Sequence, residues 1–243
     1  MITYLFLAIF ICLMGYMVYF QTVKSEDFIN SPYNSRQDTF ADRVVRGKIM
    51  SADGKVLAET VVDAAGNETR KYPYGNMYAH VVGFSTNGKS GIESNMNFNL
   101  LRSHSFVLER MFNEIKDEKS MGDNVVTTLD STLQETAYQA LGNYDGAVVV
   151  MEPSTGKVLA MVSKPDFDPN TIAADWDSII SEDNNNSVLL NRATQGLYPP
   201  GSTFKIITTL EYIRENPDYE NYSYSCNGSI TENDFTIHCY NTV

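Results

Sequence analysis

Two serines in this chain stand three residues ahead of a lysine: Ser154 with Lys157, and Ser202 with Lys205. Three residues is close to one helical turn, so in a helix the hydroxyl and the amine share a face. An unprotonated amine there can take the hydroxyl proton as the oxygen attacks a carbonyl. Context separates the two occurrences. Ser154 and Lys157 straddle a Pro153-Ser154-Thr155-Gly156 turn between two apolar runs, so both groups are expected in solvent. Ser202 follows Pro199-Pro200-Gly201, which stops any earlier structure, and the apolar run FKIITTLEYI comes after it, which puts the serine in the first turn of a helix. The electropositive helix N-terminus, with burial among apolar side chains, disfavours the charged form of Lys205 and suits it to act as a base. First-turn N–H groups, that of Ser202 included, can stabilise an oxyanion. The bland alternative is an N-cap serine beside an exposed lysine.

Other constellations compete. Gly83 to Ser90 spells G-x-x-x-x-G-K-S, the pattern in which backbone amides and a lysine cradle a nucleotide phosphate. That mechanism needs a buried strand before the loop and a long helix after it. The run Ala79 to Val82 is short, and GIESNMNFN is a poor helix, so a structural glycine turn is the expectation. Cys226 and Cys239 lie thirteen residues apart in a polar stretch and can be either one disulfide, on an oxidising side of a membrane, or two free thiols. With His238 they fall short of a zinc set, and no metal or cofactor is expected. Cys12 sits in an apolar run, where packing is its expected role.

The elements that must position these residues follow from charge and periodicity. The 243 residues carry 18 basic and 30 acidic side chains, a net charge of −12, with 43% apolar residues. So negative a surface repels phosphate backbones, and nucleic acid is not an expected partner. The charge is uneven: Lys24 to Met121 holds thirteen basic and thirteen acidic residues, and Gly122 to Val243 holds five and seventeen. Before both, Ile2 to Val23 is uncharged and as a helix would span about 33 Å, enough for a hydrocarbon core of about 30 Å. It lacks the basic start and small-residue cleavage site of a signal peptide and reads as an uncleaved anchor. Its flanks leave orientation open, because Lys24 is followed by Glu26 and Asp27.

Beyond the anchor the sequence predicts a loop from Ser31 to Asp42 and a hairpin turning at Asp53-Gly54. After a polar loop at Asp63 to Asn67, short strands and tight turns are expected through the tyrosine-rich segment after Lys71. GDNVVTTLD is a strand candidate. A helix over Ser131 to Leu141 is expected behind an N-cap at Asp130. A hairpin follows, with strands Ala147 to Met151 and Val158 to Val162; the first is so apolar that both its faces should be covered. An Asp/Asn-rich loop, Lys164 to Asn186, then leads to the Ser202 helix.

GLYPPGSTFKIIT, Gly196 to Thr208, closely resembles the active-site segment of penicillin-binding proteins. Other blocks agree in order. RGKIMSADGKVLA resembles the family's arginine-glycine motif, with Ser51-Ala52-Asp53 where Asp-Arg-Asn is commoner. YPYGNMYAHVVGF with GKSGIE resembles the pedestal signature. GDNVVTTLDSTLQ and GAVVVMEPSTGKVLAMVSKPDFDPN resemble the start of the transpeptidase domain. The likeness is to the class B, monofunctional members, since the ninety-eight residues from Lys24 to Met121 are too few for the glycosyltransferase domain of bifunctional relatives.

This resemblance implies an α+β fold with one transmembrane helix (1–23), an extracytoplasmic pedestal of the dimerisation type (24–121) and the N-terminal part of a β-lactamase/transpeptidase-like domain (122–243). It implies a peptidoglycan D,D-transpeptidase of the bacterial plasma membrane, single-pass, with most of the chain extracytoplasmic. Ser202 would attack the D-alanyl-D-alanine end of a stem peptide and Lys205 would act as base, with D-alanine leaving before an acceptor amine resolves the acyl-enzyme. β-Lactams would inhibit by acylation, and a cell-wall glycosyltransferase and division or elongation proteins would be partners. Ser225-Cys226-Asn227 and Lys89-Ser90-Gly91 spell the family's S-x-N and K-[ST]-G motifs at the wrong places and are assigned to neither. The chain stops at Val243 before the genuine motifs, so a portion inactive as it stands is expected. The alternative is a noncatalytic membrane-anchored scaffold of the cell-wall machinery.

Overall fold

The uncharged N-terminal run winds as α1 (Ile2–Tyr19) and continues as a π-type turn over Phe20–Lys24. The span Ile2–Lys24 has a mean hydropathy of 2.1 and no buried residue, the length and composition of a membrane anchor. The structure, a computed structural model, describes residues 2–25, 28, 43–104, 119–181 and 187–239. The expected loop at Ser31 to Asp42 lies outside them. Two units are distinguished, Met1–Gly196 and Leu197–Val243.

In the first unit, β1 (Val44–Val45) is followed by β2 (Ile49–Met50), β3 (Val56–Val62) and β4 (Glu68–Lys71). The β2–β3 hairpin turns where Asp53-Gly54 predicts, with Ser51 N–H donating to Lys55 O at 2.9 Å and Gly54 N–H to Ser51 O at 3.1 Å. The segment after β4 departs from expectation. Short strands were predicted there, but the chain makes a 3-10 turn over Gly75–Tyr78, then α2 (Ala79–Val82), α3 (Gly91–Asn95) and α4 (Asn97–Leu101). The physical reason is tertiary: Tyr78, Val82 and Leu100 turn inward onto Ile49, Leu57 and Ala58, and that burial outweighs poor local helix propensity. Gly83, with φ +83°, ends α2, and Gly75 and Gly91, also with positive φ, open the 3-10 turn and α3.

Two more strands complete the sheets. β5 (Ser120–Met121) pairs in parallel with β1, and β6 (Val125–Val126), the realised part of GDNVVTTLD, pairs in parallel with β2. The larger sheet therefore has the order β4-β3-β2-β6.

Glu93 is fully buried and bridges two arginines from different segments. Arg46 Nε reaches Oε2 at 2.6 Å and Arg70 Nε reaches Oε1 at 2.8 Å. Arg46 also donates to Asn97 Oδ1 at 2.5 Å and to the Glu93 carbonyl at 2.6 Å, and Arg70 donates to Gly47 O at 2.7 Å. Burial lowers the Arg46 guanidinium from its ordinary value, opposed by the Glu93 charge. Gly47 is dictated by contact: a Cβ there would lie 1.9 Å from the Asp123 carbonyl oxygen. The Arg46-Gly47 and Gly91-Ile92-Glu93 motifs are thus two halves of one buried ion-pair network.

The remainder of the unit builds two further apolar clusters. α5 (Ser131–Leu141) begins where the sequence predicts, with the Asp130 carboxylate accepting from Thr132 N–H and Leu133 N–H, both at 2.9 Å. β7 (Gly146–Met151) and β8 (Val158–Lys164) form the expected hairpin. Ala137, Tyr138 and Leu141 of α5 cover one face of it, against Val148, Val150, Ala160 and Val162. The expectation that both faces of β7 are covered does not hold. Among the described residues α5 covers one face; on the other, Arg192 N–H at the start of the helix Arg192–Gln195 donates to Ser163 Oγ at 2.9 Å, while Val149 and Met151 are 43% and 53% exposed.

Gln134, fully buried, inserts its side chain as a backbone mimic, donating to Met77 O and Met161 O and accepting from Met161 N–H, each at 2.8 Å. The predicted loop from Lys164 contains α6 (Ile172–Ile179), because Ile172, Trp176 and Ile179 at helical spacing close over Phe84 and Phe167. α7 (Arg192–Gln195) follows, capped by the Asn191 side chain. The Asn184 to Asn186 triplet lies outside the described residues.

His80 packs edge-on against Phe167, with Nε2 3.1 Å from Pro165 O. Burial, partly offset by the Pro165 carbonyl, holds its pKa below the ordinary 6.5. The folded state therefore keeps a neutral imidazole while the unfolded chain takes up a proton near pH 6.5. The contribution is complete above that pH and is lost as pH falls through the folded value. Denaturant midpoints should decrease below about pH 6.5, and less so in His80→Gln. Parallel pH profiles for the two proteins would contradict this.

Candidate active site

In the second unit, Pro200 with φ −67° and ψ −23° and Gly201 with φ +54° set the chain into a 3-10 turn over Gly201–Phe204, which passes directly into α8 (Lys205–Glu215). Thr203 N–H donates to Pro200 O at 3.2 Å and its hydroxyl donates to the same oxygen at 2.5 Å. Lys205 N–H donates to Ser202 O. Positions three apart in such a turn lie on one side of the backbone, which puts the Ser202 and Lys205 positions on the same side of the helix start. Sequence reasoning placed the serine in the first turn of a helix; that turn is 3-10 and leads straight into α8.

One element of that reasoning is corrected. Both Ser202 and Lys205 are exposed, so the burial invoked around the lysine is not present. The apolar residues that were to supply it are themselves in the open, with Ile206, Ile207 and Leu210 at 65%, 56% and 58% exposure. Within the helix Thr209 Oγ1 donates to Lys205 O at 2.7 Å, and Tyr212 packs against Tyr222 of the following segment, ring centroids 5.2 Å apart. The Gly201 and Ser202 N–H groups precede Thr203 N–H, the first donor of the turn, which keeps them available for an oxyanion. Chemically, the arrangement is a hydroxyl and an amine on one face beside backbone donors.

Ser154 and Lys157 lie in the exposed β7–β8 turn, closed by Gly156 N–H to Glu152 O at 2.8 Å and Glu152 N–H to Lys157 O at 2.9 Å. They share no helix and make no site. The phosphate-loop match fails on both flanks, since α2 rather than a strand precedes Gly83 and the five-residue α3 follows Ser90. The loop closes on its own backbone: Ser90 N–H donates to Phe84 O at 3.1 Å, and a Cβ on Gly83 would sit 2.0 Å from Ser90 O. GIESNMNFN, judged a poor helix, is helical as α3 and α4 because Leu100 and Leu101 are buried. Gly83→Ala is expected to destabilise the first unit by more than about 1 kcal/mol, from the φ of +83° and the overlap together. An unchanged denaturant midpoint would contradict it. Lys89-Ser90-Gly91 belongs to this structural loop, and Ser225-Cys226-Asn227 lies in an exposed connection before the last hairpin.

Sequence reasoning passed over Glu93, Arg70, Gln134 and Asn170. Asn170 pairs with the Tyr72 backbone across 98 residues, accepting from its N–H at 2.9 Å and donating to its carbonyl at 3.0 Å. Only Gln134 carried a signal, as a polar residue on the apolar face of α5.

Comparison with known proteins identifies the family. The penicillin binding protein transpeptidase domain matches residues 146–243, and the penicillin binding protein A dimerisation domain matches residues 46–125. The peptidoglycan D,D-transpeptidase PbpA of Mycolicibacterium smegmatis is 40% identical over 187 residues, covering 68% of this chain and 36% of that protein. The peptidoglycan D,D-transpeptidase MrdA of Escherichia coli K12 is 33% identical over 181 residues, covering 59% and 28%. Among solved structures, penicillin-binding protein A from M. tuberculosis as an imipenem acyl-enzyme complex superposes with a TM-score of 0.68 at 31% identity, covering 83% of this chain and 49% of that one. The D,D-transpeptidase domain of a peptidoglycan glycosyltransferase from Eggerthella lenta gives 0.67 at 35% identity, covering 81% and 43%. The chain spans about a third of the length of the curated relatives it matches. With an N-terminal apolar helix, a dimerisation-type region and transpeptidase elements in that order, the chain belongs to the class B penicillin-binding proteins.

Proposed function

We propose that this chain acts in peptidoglycan D,D-transpeptidation through a serine acyl-enzyme. What carries the reading is that Ser202 and Lys205 stand three residues apart at a helix start inside the stretch that matches the transpeptidase domain. Lys205, with its amine unprotonated, takes the Ser202 proton as Oγ attacks the carbonyl of a terminal D-alanyl-D-alanine. First-turn N–H groups face the developing oxyanion, the proton passes to the leaving D-alanine, and an acceptor amine then releases the acyl group. Relatives solved as imipenem and ceftriaxone acyl-enzymes support a β-lactam as the inhibitor.

The reading keeps residues 24–121 as the pedestal and 122–243 as part of the transpeptidase domain. α1 lies in the bacterial plasma membrane and the bulk of the chain outside the cytoplasm, where stem peptides occur; cell-wall glycosyltransferases and division or elongation proteins are its natural neighbours. Because the candidate pair stands exposed, the 243 residues alone are expected to acylate poorly. The test is labelling with a fluorescent penicillin, together with D-alanine release from a pentapeptide, on the product of the complete reading frame that contains these residues. Labelling that excess unlabelled penicillin blocks is the expected result. Absence of both signals, with partner binding intact, would favour the scaffold instead.

A further inference from the structure

We propose that Cys226 and Cys239 form a disulfide that locks the base of the terminal hairpin, an inference that rests on the reading that this part of the chain lies outside the cytoplasm. The hairpin consists of β9 (Ser229–Glu232) and β10 (Phe235–His238), paired in antiparallel register from Phe235 opposite Glu232 to His238 opposite Ser229. Its tip is secured by Asn233 and Asp234, whose φ values of +49° and +65° are those of the tight two-residue turn that matches strand twist. Every residue of both strands is exposed, and a two-stranded hairpin without a packed face is marginal in water. Something must hold the open end.

That end carries the two cysteines. Cys239 N–H donates to Gly228 O at 2.9 Å, and Gly228, with φ +90°, turns the incoming chain so that Cys226 Sγ comes within 2.7 Å of Cys239 Sγ. A cross-link here closes a short loop and restricts the unfolded chain where the folded hairpin has least support. A metal is a poorer use of the pair, because the pair with the neighbouring His238, which ends β10, falls short of the four ligands a structural zinc site takes.

The thiol chemistry is polarised. The Cys239 thiol and the Gly228 N–H lower the Cys226 pKa, while the same interaction raises that of Cys239. Cys226 is therefore the attacking thiolate. It attacks one sulfur of an external disulfide, that of an oxidoreductase or a small-molecule disulfide, and releases a first thiolate. Cys239, losing its proton, then attacks the Cys226 sulfur of the mixed disulfide and releases the second. Two protein thiols are oxidised, one external disulfide is reduced to two thiols, and the two protons end on those thiols.

The experiment uses the complete reading-frame product carrying Cys12→Ser, expressed in its cell envelope and blocked with an alkylating maleimide on lysis. No Lys or Arg occurs after Arg214 up to Val243, so trypsin leaves both cysteines in one peptide, and cleavage after Glu232 then splits it between them. The expected result is two halves that stay joined, lacking two hydrogens and carrying no maleimide, until a reductant separates them. Protease added to intact spheroplasts reports independently on which side the segment lies. Separate, alkylated halves in a segment the protease reaches would overturn the disulfide and leave the topology standing. If the protease cannot reach the segment, the topology fails, and the pair is judged on purified protein equilibrated with oxidised glutathione. Closure to one intramolecular disulfide there supports the proposal, and glutathione adducts on both cysteines overturn it.

Discussion

Ser202→Ala is expected to abolish covalent capture of a β-lactam by the complete reading-frame product, a loss on the order of a million-fold in acylation rate when a nucleophile is removed from a group of residues acting as a unit. Lys205→Ala should cost about 10²- to 10⁴-fold, the usual contribution of a positioned base. Lys205→Arg should do no better, because a guanidinium keeps its proton. Both residues are exposed at the start of α8, so neither substitution should move the unfolding midpoint appreciably. That separation makes the kinetics interpretable. Acylation of Ser202→Ala at the unmodified rate would remove the proposed nucleophile, and full activity in Lys205→Arg would remove the proposed base.

Glu93→Gln is expected to be the most destabilising single substitution in the first unit. The side chain keeps its shape but loses the charge that faces Arg46 and Arg70, whose side chains are only 10% and 8% exposed. Leaving buried charge uncompensated in this way costs about 3–5 kcal/mol, a large part of the roughly 5–15 kcal/mol that holds a domain folded. Chemical denaturation of the two proteins side by side measures it. A difference below about 1 kcal/mol would mean that the network contributes no more than a surface ion pair.

The parts of this fold that were legible in the sequence are those decided locally. Asp130 ahead of an amphipathic run caps α5, Asp53-Gly54 turns a hairpin, Pro199-Pro200-Gly201 starts a helix, and an uncharged stretch of membrane length forms α1. What was not legible depends on partners remote in sequence. The segment from Tyr72 to Leu101 forms short helices because Tyr78, Val82 and Leu100 must reach β2 and β3. α6 emerges from an Asp/Asn-rich stretch because Ile172 and Trp176 close over two phenylalanines.

The candidate site divides in the same way. Spacing and the proline stop sufficed to place Ser202 and Lys205 at a helix start. The environment of the lysine depends on what packs over α8, and the periodicity of α8 alone misjudged it. The Glu93 network draws on three separated segments, so its two motifs read as unconnected short patterns until folded.

The most direct measurement of the central claim is peptide mapping of the complete reading-frame product after exposure to penicillin. Trypsin releases Ala193 to Lys205 as one peptide, with Ser202 near its end. A penicilloyl group on Ser202 is the predicted result. An adduct on Ser154 or any other serine instead, or an unmodified protein, would contradict the account.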